Sequence, residues 1–372
     1  MARRIRKSPW AGTLARTLTA MTRATLRAGS RAVTKAAKQT VRQAVKQAVK
    51  QAVKQAVKQA AKPAVRKAAR KSTTAPAPRR TPAPGTGASS SGVSIGSAGA
   101  RRYRLFKPPG ARKSAPLPLL VMLHGCRQDA AAFARSTRMQ SLAAREGFFV
   151  LWPEQDRLAN AQGCWNWFET RTGRAFAEAA SIVAAIDQVC ARHGADPSRV
   201  AIAGLSAGAS LAALLGLRYP ERFRAVAMHS GVGPGAAHSS ATALAAMQGR
   251  RQPQALPAVD AAAAGLPPLL VIQGGADALV RPSNGRDVAR AWADTAGAQA
   301  TTPRTLQRGK RYPATVTDFT LKARTLVSLC EISGLGHAWS GGAANQAFSD
   351  PNGPDASRMI WAFAARQFRT GG

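Results

Sequence analysis

The feature that most constrains the fold is a series of short apolar segments spread through residues 100–372. They lie at 117–123, 148–152, 199–203, 225–229, 268–273 and 326–332. Several are apolar at every position rather than at alternate positions, which is typical of strands covered on both faces. Helix-forming stretches at 131–145, 177–193 and 207–218 separate them. This alternation predicts an α/β fold built on a mostly parallel, doubly wound sheet.

The N-terminal part of the chain has a different composition. Residues 1–128 contain 29 Lys and Arg and no Asp or Glu, whereas residues 129–372 contain 25 basic and 17 acidic residues. From Gln43 to Lys58 the unit Gln-Ala-Val-Lys repeats four times, and most of these residue types favour helices. Residues 72–99 are mainly Ser, Thr, Ala, Pro and Gly, as in linkers. We therefore predict a basic arm over 1–71, helical or disordered, a linker over 72–99 and a folded domain over 100–372.

The charge of the arm indicates its partners rather than its fold. An anionic surface is one candidate, and nonspecific binding of nucleic acid is another. Base stacking is not indicated, because no aromatic residue lies within the repeats. A solvated tail without a partner is the alternative.

Several classes of protein are disfavoured by the sequence. No run of 18 apolar residues is present, so we expect no transmembrane segment. Four cysteines are too few for a disulfide scaffold and match no zinc-site spacing. We find no cluster of metal ligands and no Gly-rich phosphate loop, and we expect neither metal nor cofactor. Arg16, Arg23 and Arg27 interrupt the segment after the basic start, so a signal peptide is not indicated and an intracellular location is predicted.

The pentapeptide Gly204-Leu205-Ser206-Ala207-Gly208 points to a nucleophilic serine. The pattern alone is weak evidence. Here a predicted strand leads directly into it and an Ala- and Leu-rich predicted helix follows it. A sharp turn between strand and helix exposes the serine hydroxyl, and the start of the helix supplies backbone N–H groups to a developing oxyanion. We predict Ser206 as the nucleophile.

A serine nucleophile of this kind needs a base and an acid, in the chain order Ser, acid, His. His337 lies on a Gly-rich loop after the predicted strand 326–332, downstream of Ser206. Asp277 directly follows the predicted strand 268–273. Asp287, Asp294 and Asp318 are poorer candidates, because none follows a strand. We predict Asp277 and His337 as the partners of Ser206.

The loop after the predicted strand 117–123 is the expected source of the second oxyanion donor. It reads His124-Gly125-Cys126. We predict the backbone N–H groups of Cys126 and Ala207 as the donors. His124 is expected to orient this loop, and His229, at a strand end, to be a buried histidine with satisfied hydrogen bonds.

Aromatic residues near these motifs are candidates for contact with a substrate. Trp165 and Trp167 lie in the string Cys164-Trp165-Asn166-Trp167-Phe168, and Trp339 follows His337 by two residues. For the first pair, packing in the core and forming a wall of the substrate crevice are both open.

Five strings in the folded domain together resemble the polyhydroxybutyrate (PHB) depolymerase family of esterases. They are Leu123-His124-Gly125-Cys126-Arg127-Gln128, Trp152-Pro153-Glu154-Gln155, Cys164-Trp165-Asn166-Trp167-Phe168, Gly204-Leu205-Ser206-Ala207-Gly208 and Gly336-His337-Ala338-Trp339-Ser340-Gly341-Gly342. The likeness covers residues 101–368 and implies an α/β-hydrolase fold and hydrolysis of poly(3-hydroxyalkanoate) esters through an acyl-serine intermediate. It implies the same triad, a disulfide between Cys126 and Cys164 and, more weakly, one between Cys190 and Cys330.

The substrate is not determined by these motifs, because one fold and one triad serve many esters. A feruloyl or acetyl-xylan esterase is the nearest alternative. A protein that binds granules or nucleic acid through its arm is a second. The basic arm is a departure from the secreted members of the family, and we hypothesise that it holds the chain on polyhydroxyalkanoate granules inside the cell. The secreted members make an extracellular location the alternative.

Overall fold

The computed structural model describes residues 87–251, Leu256 and residues 265–369. The predicted arm and most of the predicted linker lie outside this range. Within it, no helix is both long and apolar enough to cross a bilayer.

The described residues form thirteen strands and seven α-helices. The strands are β1 (Ala88–Gly96), β2 (Gly99–Lys107), β3 (Leu117–Leu123), β4 (Phe149–Pro153), β5 (Ala195–Leu205), β6 (Ala225–His229), β7 (Leu269–Gly274), β8 (Gln299–Ala300), β9 (Arg304–Leu306), β10 (Ala314–Leu321), β11 (Arg324–Ile332), β12 (Trp339–Ser340) and β13 (Ser349–Asp350). The helices are α1 (Ala130–Thr137), α2 (Met139–Glu146), α3 (Arg174–His193), α4 (Ala207–Arg218), α5 (Ser240–Met247), α6 (Ser283–Thr295) and α7 (Ala356–Arg369).

Eleven of these strands form one mixed sheet. Its order is β1-β2-β4-β3-β5-β6-β7-β11-β10-β8, with β9 also paired to β10. The six strands from β4 to β11 in this order are parallel, and the strands at both edges are antiparallel. The predicted α/β fold with a mostly parallel sheet is confirmed.

Helices cover both faces of the sheet, and the central strands are therefore apolar on both faces. In β3, Leu119, Val121 and Leu123 join the core that includes α3, α4 and α6. The intervening Leu120 and Met122 join the core that includes α1, α2 and α7. Burial on two faces explains the unbroken apolar run of this strand.

The first strand lies in the segment that the composition predicts as linker. β1 pairs along its whole length with β2, from Ala88 opposite Lys107 to Gly96 opposite Gly99. It is an edge strand, rich in Ser, in which Ile95 remains 81% exposed. The folded part of the chain therefore begins earlier than predicted. The prediction missed this strand because a strand with so little buried apolar surface gives no hydrophobic pattern.

The predicted helix 131–145 is in fact two helices. Arg138 ends α1 and precedes α2 with φ 52°, in the left-handed region. A residue in this conformation interrupts the helix. The guanidinium of Arg138 donates to the carbonyl oxygen of Gly341 at 2.6 Å.

Candidate active site

Ser206 occupies the sharp turn between β5 and α4. Its φ of 56° and ψ of −121° are strained for a residue other than glycine. Its N–H donates to the carbonyl oxygen of His229 at 2.9 Å, and its own carbonyl oxygen accepts from the N–H of Ser210 at 3.0 Å. Hydrogen bonds to the next strand and to the first turn of α4 therefore hold the strained residue in place.

The two glycines of the pentapeptide are required by close packing around this turn. A Cβ on Gly204 would lie 2.3 Å from the carbonyl carbon of Gly208. A Cβ on Gly208 would lie 2.2 Å from the carbonyl oxygen of Leu123 and 2.6 Å from that of His124. The start of α4 therefore lies directly against the end of β3. A residue larger than glycine at position 208 would prevent this contact.

Asp277 and His337 are brought together by a hydrogen bond. The Nδ1 of His337 lies 2.8 Å from Oδ2 of Asp277, and both side chains are almost completely buried. The other oxygen, Oδ1, accepts from the N–H groups of Leu279 and Val280 at 2.9 and 2.8 Å. With the carboxylate accepting at Nδ1, the Nε2 of a neutral His337 keeps its lone pair.

The carboxylate of Asp277 is stabilised in its charged form. Burial by itself would raise the pKa of this group, but the charge and hydrogen bond of His337 and the two backbone donors outweigh it. The pKa of Asp277 is therefore held below its ordinary value. An ionised carboxylate fixes the orientation of the imidazole and stabilises its protonated form.

The loops that carry these two residues pack against each other. They follow β7 and β11, which are parallel neighbours in the sheet. The N–H of Ala276 donates to the carbonyl oxygen of Leu335 at 3.0 Å, and a Cβ on Gly274 would lie 2.4 Å from that oxygen. Ser206 follows β5, which lies two strands from β7 and three from β11 in the same parallel group. All three predicted residues therefore lie at the carboxyl edge of the sheet, where ligands bind in folds of this kind.

The loop after β3 is held in a tight turn beside Ser206. The N–H of Gly125 donates to Oε1 of Gln128 at 3.0 Å, and the N–H of Gln128 donates to the carbonyl oxygen of Gly125 at 3.2 Å. Within the described residues, the N–H groups of Cys126 and Ala207 donate to no protein acceptor. Both predicted oxyanion donors are thus free to bind a ligand oxygen.

His124 braces this loop from the inside of the fold. Its Nε2 accepts from the N–H of Gln155 at 3.1 Å, so Nδ1 carries the proton and donates to the carbonyl oxygen of Gly125 at 2.9 Å. Burial lowers the pKa of His124 to about 4. The ring is therefore neutral near pH 7 and has no lone pair left for proton transfer.

A disulfide ties the same loop to the segment after β4. Cys126 and Cys164 are bonded, as the resemblance implies. Cys190 and Cys330 are free thiols, so the weaker expectation of a second disulfide is wrong. Burial raises the pKa of Cys330 to about 12, which keeps that thiol protonated.

A buried polar network, which the sequence did not indicate, anchors the segment after Cys164. The carboxylate of Glu178, in the second turn of α3, accepts from Nε2 of Gln155 at 2.6 Å and from the N–H of Asn166 at 2.8 Å. Arg101 in turn donates to Oε1 of Gln155 at 2.8 Å. A glutamate in a helix looks like a surface residue in the sequence, so no signal marked it.

The predicted role of two tryptophans in substrate contact is not supported. Trp165 and Trp339 are both 0% exposed. The Nε1 of Trp165 donates to the carbonyl oxygen of His124 at 3.0 Å, and that of Trp339 to Oγ of Ser357 at 3.1 Å. Both rings brace loops and neither is exposed to a substrate. The prediction failed because the burial of these rings depends on tertiary packing, which was not visible in the sequence. Trp167, at 8% exposed, stays a prediction.

No group of three or more His, Cys, Asp or Glu side chains in the described part of the chain is arranged to hold a metal ion.

Comparison with known proteins places the chain in a family. The sequence profile of the family described as Esterase PHB depolymerase matches residues 101–307. Poly(3-hydroxyalkanoate) depolymerase C of Paucimonas lemoignei is 39% identical over 34% of this chain and 31% of its own length. Feruloyl esterase B of Neurospora crassa is 34% identical over 31% of this chain and 39% of its own length. The chain thus spans well under half of each of these curated relatives.

A solved structure supports the fold. Acetyl xylan esterase from Aspergillus awamori superposes with a TM-score of 0.54 at 19% identity, covering 68% of this chain and 94% of that chain. The match shows the α/β-hydrolase fold.

We expect the Cys126–Cys164 disulfide to contribute to stability, because it closes a loop with a sequence separation of 38 residues. Replacing both cysteines by serine should lower the free energy of unfolding by about 3 kcal/mol. Urea unfolding of the double variant measures this change. The control is Cys190→Ser, which breaks no disulfide; equal midpoints for the control and the double variant would contradict the prediction.

Proposed function

The chain belongs to the esterase PHB depolymerase family, and on this premise we propose that it is a serine esterase that hydrolyses ester bonds of poly(3-hydroxyalkanoates), such as poly(3-hydroxybutyrate), or of their oligomers. The observation that carries the proposal is the buried Asp277–His337 hydrogen bond at the sheet edge where Ser206 occupies a strained turn. The chain order Ser, Asp, His is the order expected for this fold.

In the proposed first step, Oγ of Ser206 attacks the ester carbonyl carbon while Nε2 of His337 takes the hydroxyl proton. The carbonyl oxygen becomes an oxyanion, which accepts hydrogen bonds from the N–H groups of Cys126 and Ala207. His337 then donates its proton to the departing alkoxide oxygen, and the alcohol leaves. Asp277 keeps the imidazole oriented and stabilises its positive charge. Each oxyanion donor is expected to contribute about 10²- to 10³-fold to the rate.

In the second step, water attacks the acyl-serine carbonyl carbon and His337 takes a proton from that water. The same two N–H groups stabilise the second oxyanion. Ser206 leaves as its oxygen recovers the proton from His337, and the carboxylic acid is released. No group beyond these side chains, two backbone donors and water is needed for the atoms and charges to balance.

The direct test is release of 3-hydroxybutyrate from amorphous polymer granules. The wild-type chain should release the product, and Ser206→Ala should lower the rate by at least about 10³-fold, because the nucleophile is lost. Ser240→Ala, an exposed serine at the start of α5, is the matched control and should retain wild-type activity. Hydrolysis of p-nitrophenyl esters without any release from granules would retain the esterase and reject the polymer substrate.

A carbohydrate ester is the second candidate substrate. The observation in its favour is the sequence similarity to feruloyl and acetylxylan esterases, some of which match about half of this chain, together with the fold shared with the acetyl xylan esterase from Aspergillus awamori. Comparing kcat/KM for methyl ferulate, acetylated xylan and hydroxybutyrate oligomers discriminates the two. A preference for either of the first two would overturn the polyester assignment.

We further propose that residues 1–71, with 20 Lys and Arg and no Asp or Glu, attach the chain to the anionic or protein-coated surface of polyhydroxyalkanoate granules. A chain that begins at Gly87 removes this segment but keeps β1, and should lose co-sedimentation with granules while hydrolysing small esters at an unchanged rate. Unchanged sedimentation would contradict the proposal. If the full chain binds DNA in a salt-sensitive manner and the chain that begins at Gly87 does not, the nucleic-acid alternative is favoured instead.

We propose an intracellular, granule-associated location, with an extracellular location as the alternative. The Cys126–Cys164 disulfide favours the alternative, because disulfides persist in oxidising compartments. Cell fractionation tests this directly, because recovery of the disulfide-bonded chain outside the cytoplasm would exclude an intracellular location.

A further inference from the structure

His229 contacts the segments that carry two of the proposed catalytic residues. It is the last residue of β6, which lies between β5 and β7, and it is completely buried. Its carbonyl oxygen accepts from the N–H of Ser206 at 2.9 Å. Its ring Nε2 accepts from the N–H of Ser340 at 3.1 Å, three residues after His337. One residue therefore connects the turn of the nucleophile to the loop of the base.

The ring of His229 also packs on the residue before Ser340. Its plane lies 26° from that of Trp339, with the ring centroids 5.2 Å apart. Trp339 is itself fixed, because its N–H donates to the carbonyl oxygen of Phe348 at 2.8 Å and its Nε1 donates to Ser357. His229 thus contacts two consecutive residues of a segment that is anchored to the rest of the fold.

The hydrogen bond to Ser340 requires a neutral ring. Burial, and to a lesser extent the nearby His337, lower the pKa of His229 to about 3. Nε2 therefore keeps the lone pair that accepts from Ser340, and the proton resides on Nδ1, which lies 3.2 Å from Oγ of Ser230. The acceptor is present throughout the neutral pH range.

The loop of His337 has separate anchors on its two sides. Before His337, the carbonyl oxygen of Leu335 accepts from Ala276, and at His337 itself the ring is bonded to Asp277. After His337, the contacts with His229 hold Trp339 and Ser340. Losing the contacts with His229 would leave the Asp277–His337 pair and the other hydrogen bonds of Trp339 intact, but it would remove the direct connection between this segment and the residue that bonds the N–H of Ser206.

We propose that His229 is a positioning residue that keeps the imidazole of His337 in register with the hydroxyl of Ser206. This inference rests on the proposed function. It assigns to His229 a role beyond the filling of space in the core, for which any aromatic ring of similar size would serve. The positioning role requires a hydrogen-bond acceptor at the position of Nε2, whereas the filling of space does not. A substitution that removes the acceptor but keeps the ring therefore distinguishes the two roles.

The experiment compares two substitutions at this position. His229→Phe keeps an aromatic ring against Trp339 but cannot accept from Ser340, whereas His229→Gln restores an acceptor without the ring. We expect the Phe variant to lower kcat for p-nitrophenyl butyrate by about 10- to 100-fold with KM within about threefold, because misplacement of a catalytic group by about 1 Å costs this much. The Gln variant should recover kcat to within about fivefold of wild type.

A second readout uses covalent modification of Ser206 by a fluorophosphonate, which needs the Ser206–His337 geometry but no particular natural ester. Its rate should fall in the Phe variant and recover in the Gln variant. His193→Phe, at the end of α3 and outside the site, is the matched control for loss of a histidine. The thermal midpoint of each variant establishes that it is folded.

Wild-type kcat in the Phe variant would overturn the proposal, as would equal losses in the Phe and Gln variants at unchanged thermal midpoints. If the Phe variant does not fold, the Gln variant decides, since near wild-type kcat supports the role and a fall of more than about tenfold contradicts it. Failure of the proposed function can be distinguished from failure of this inference. If the proposed function is wrong, the wild-type chain itself will show no ester hydrolysis that is lost in Ser206→Ala.

Discussion

The close approach of α4 to the end of β3 is the contact on which the geometry of the site depends. Gly208 packs on the carbonyl oxygens of Leu123 and His124 at a distance that excludes any side chain. This contact lets Ser206 adopt its strained conformation and places the first N–H groups of α4 beside the loop of Cys126. That loop is in turn braced by His124 and by a disulfide. The proposed nucleophile and the proposed oxyanion donors thus form one rigid unit, in which little reorganisation would be needed as charge develops.

The roles of the three histidines near this site differ because their environments differ. His124 and His229 are completely buried, their rings accept from backbone N–H groups, and burial keeps both neutral. His337 instead has a buried carboxylate at Nδ1. A carboxylate partner supports the protonated imidazole that general-base catalysis creates, whereas a backbone N–H directed at the ring opposes it. The first two rings therefore serve to hold loops, and the third is suited to transfer a proton.

The sequence predicted the parts of this arrangement that follow from chain order and burial on two faces. Strands such as β3 and β6 were predicted because they are apolar at nearly every position, and Asp277 and His337 because each follows a strand in the order that the fold requires. Edge strand β1 was not predicted, because it buries little apolar surface. The burial of Trp165 and Trp339 and the network around Glu178 depend on side chains distant in sequence, which no local pattern specifies. His229 was expected to be a buried residue with satisfied hydrogen bonds, and its contacts with Ser206 and with the loop of His337 became visible only in three dimensions.

The central claim is that Ser206, activated by His337, is the nucleophile. The measurement that tests it most directly is stoichiometric reaction with a fluorophosphonate, followed by peptide mass analysis and assay of the remaining esterase activity. The account predicts one adduct, on the peptide that contains Ser206, and loss of activity in proportion to the adduct. An adduct on another residue, or full activity in a protein completely modified at Ser206, would contradict it.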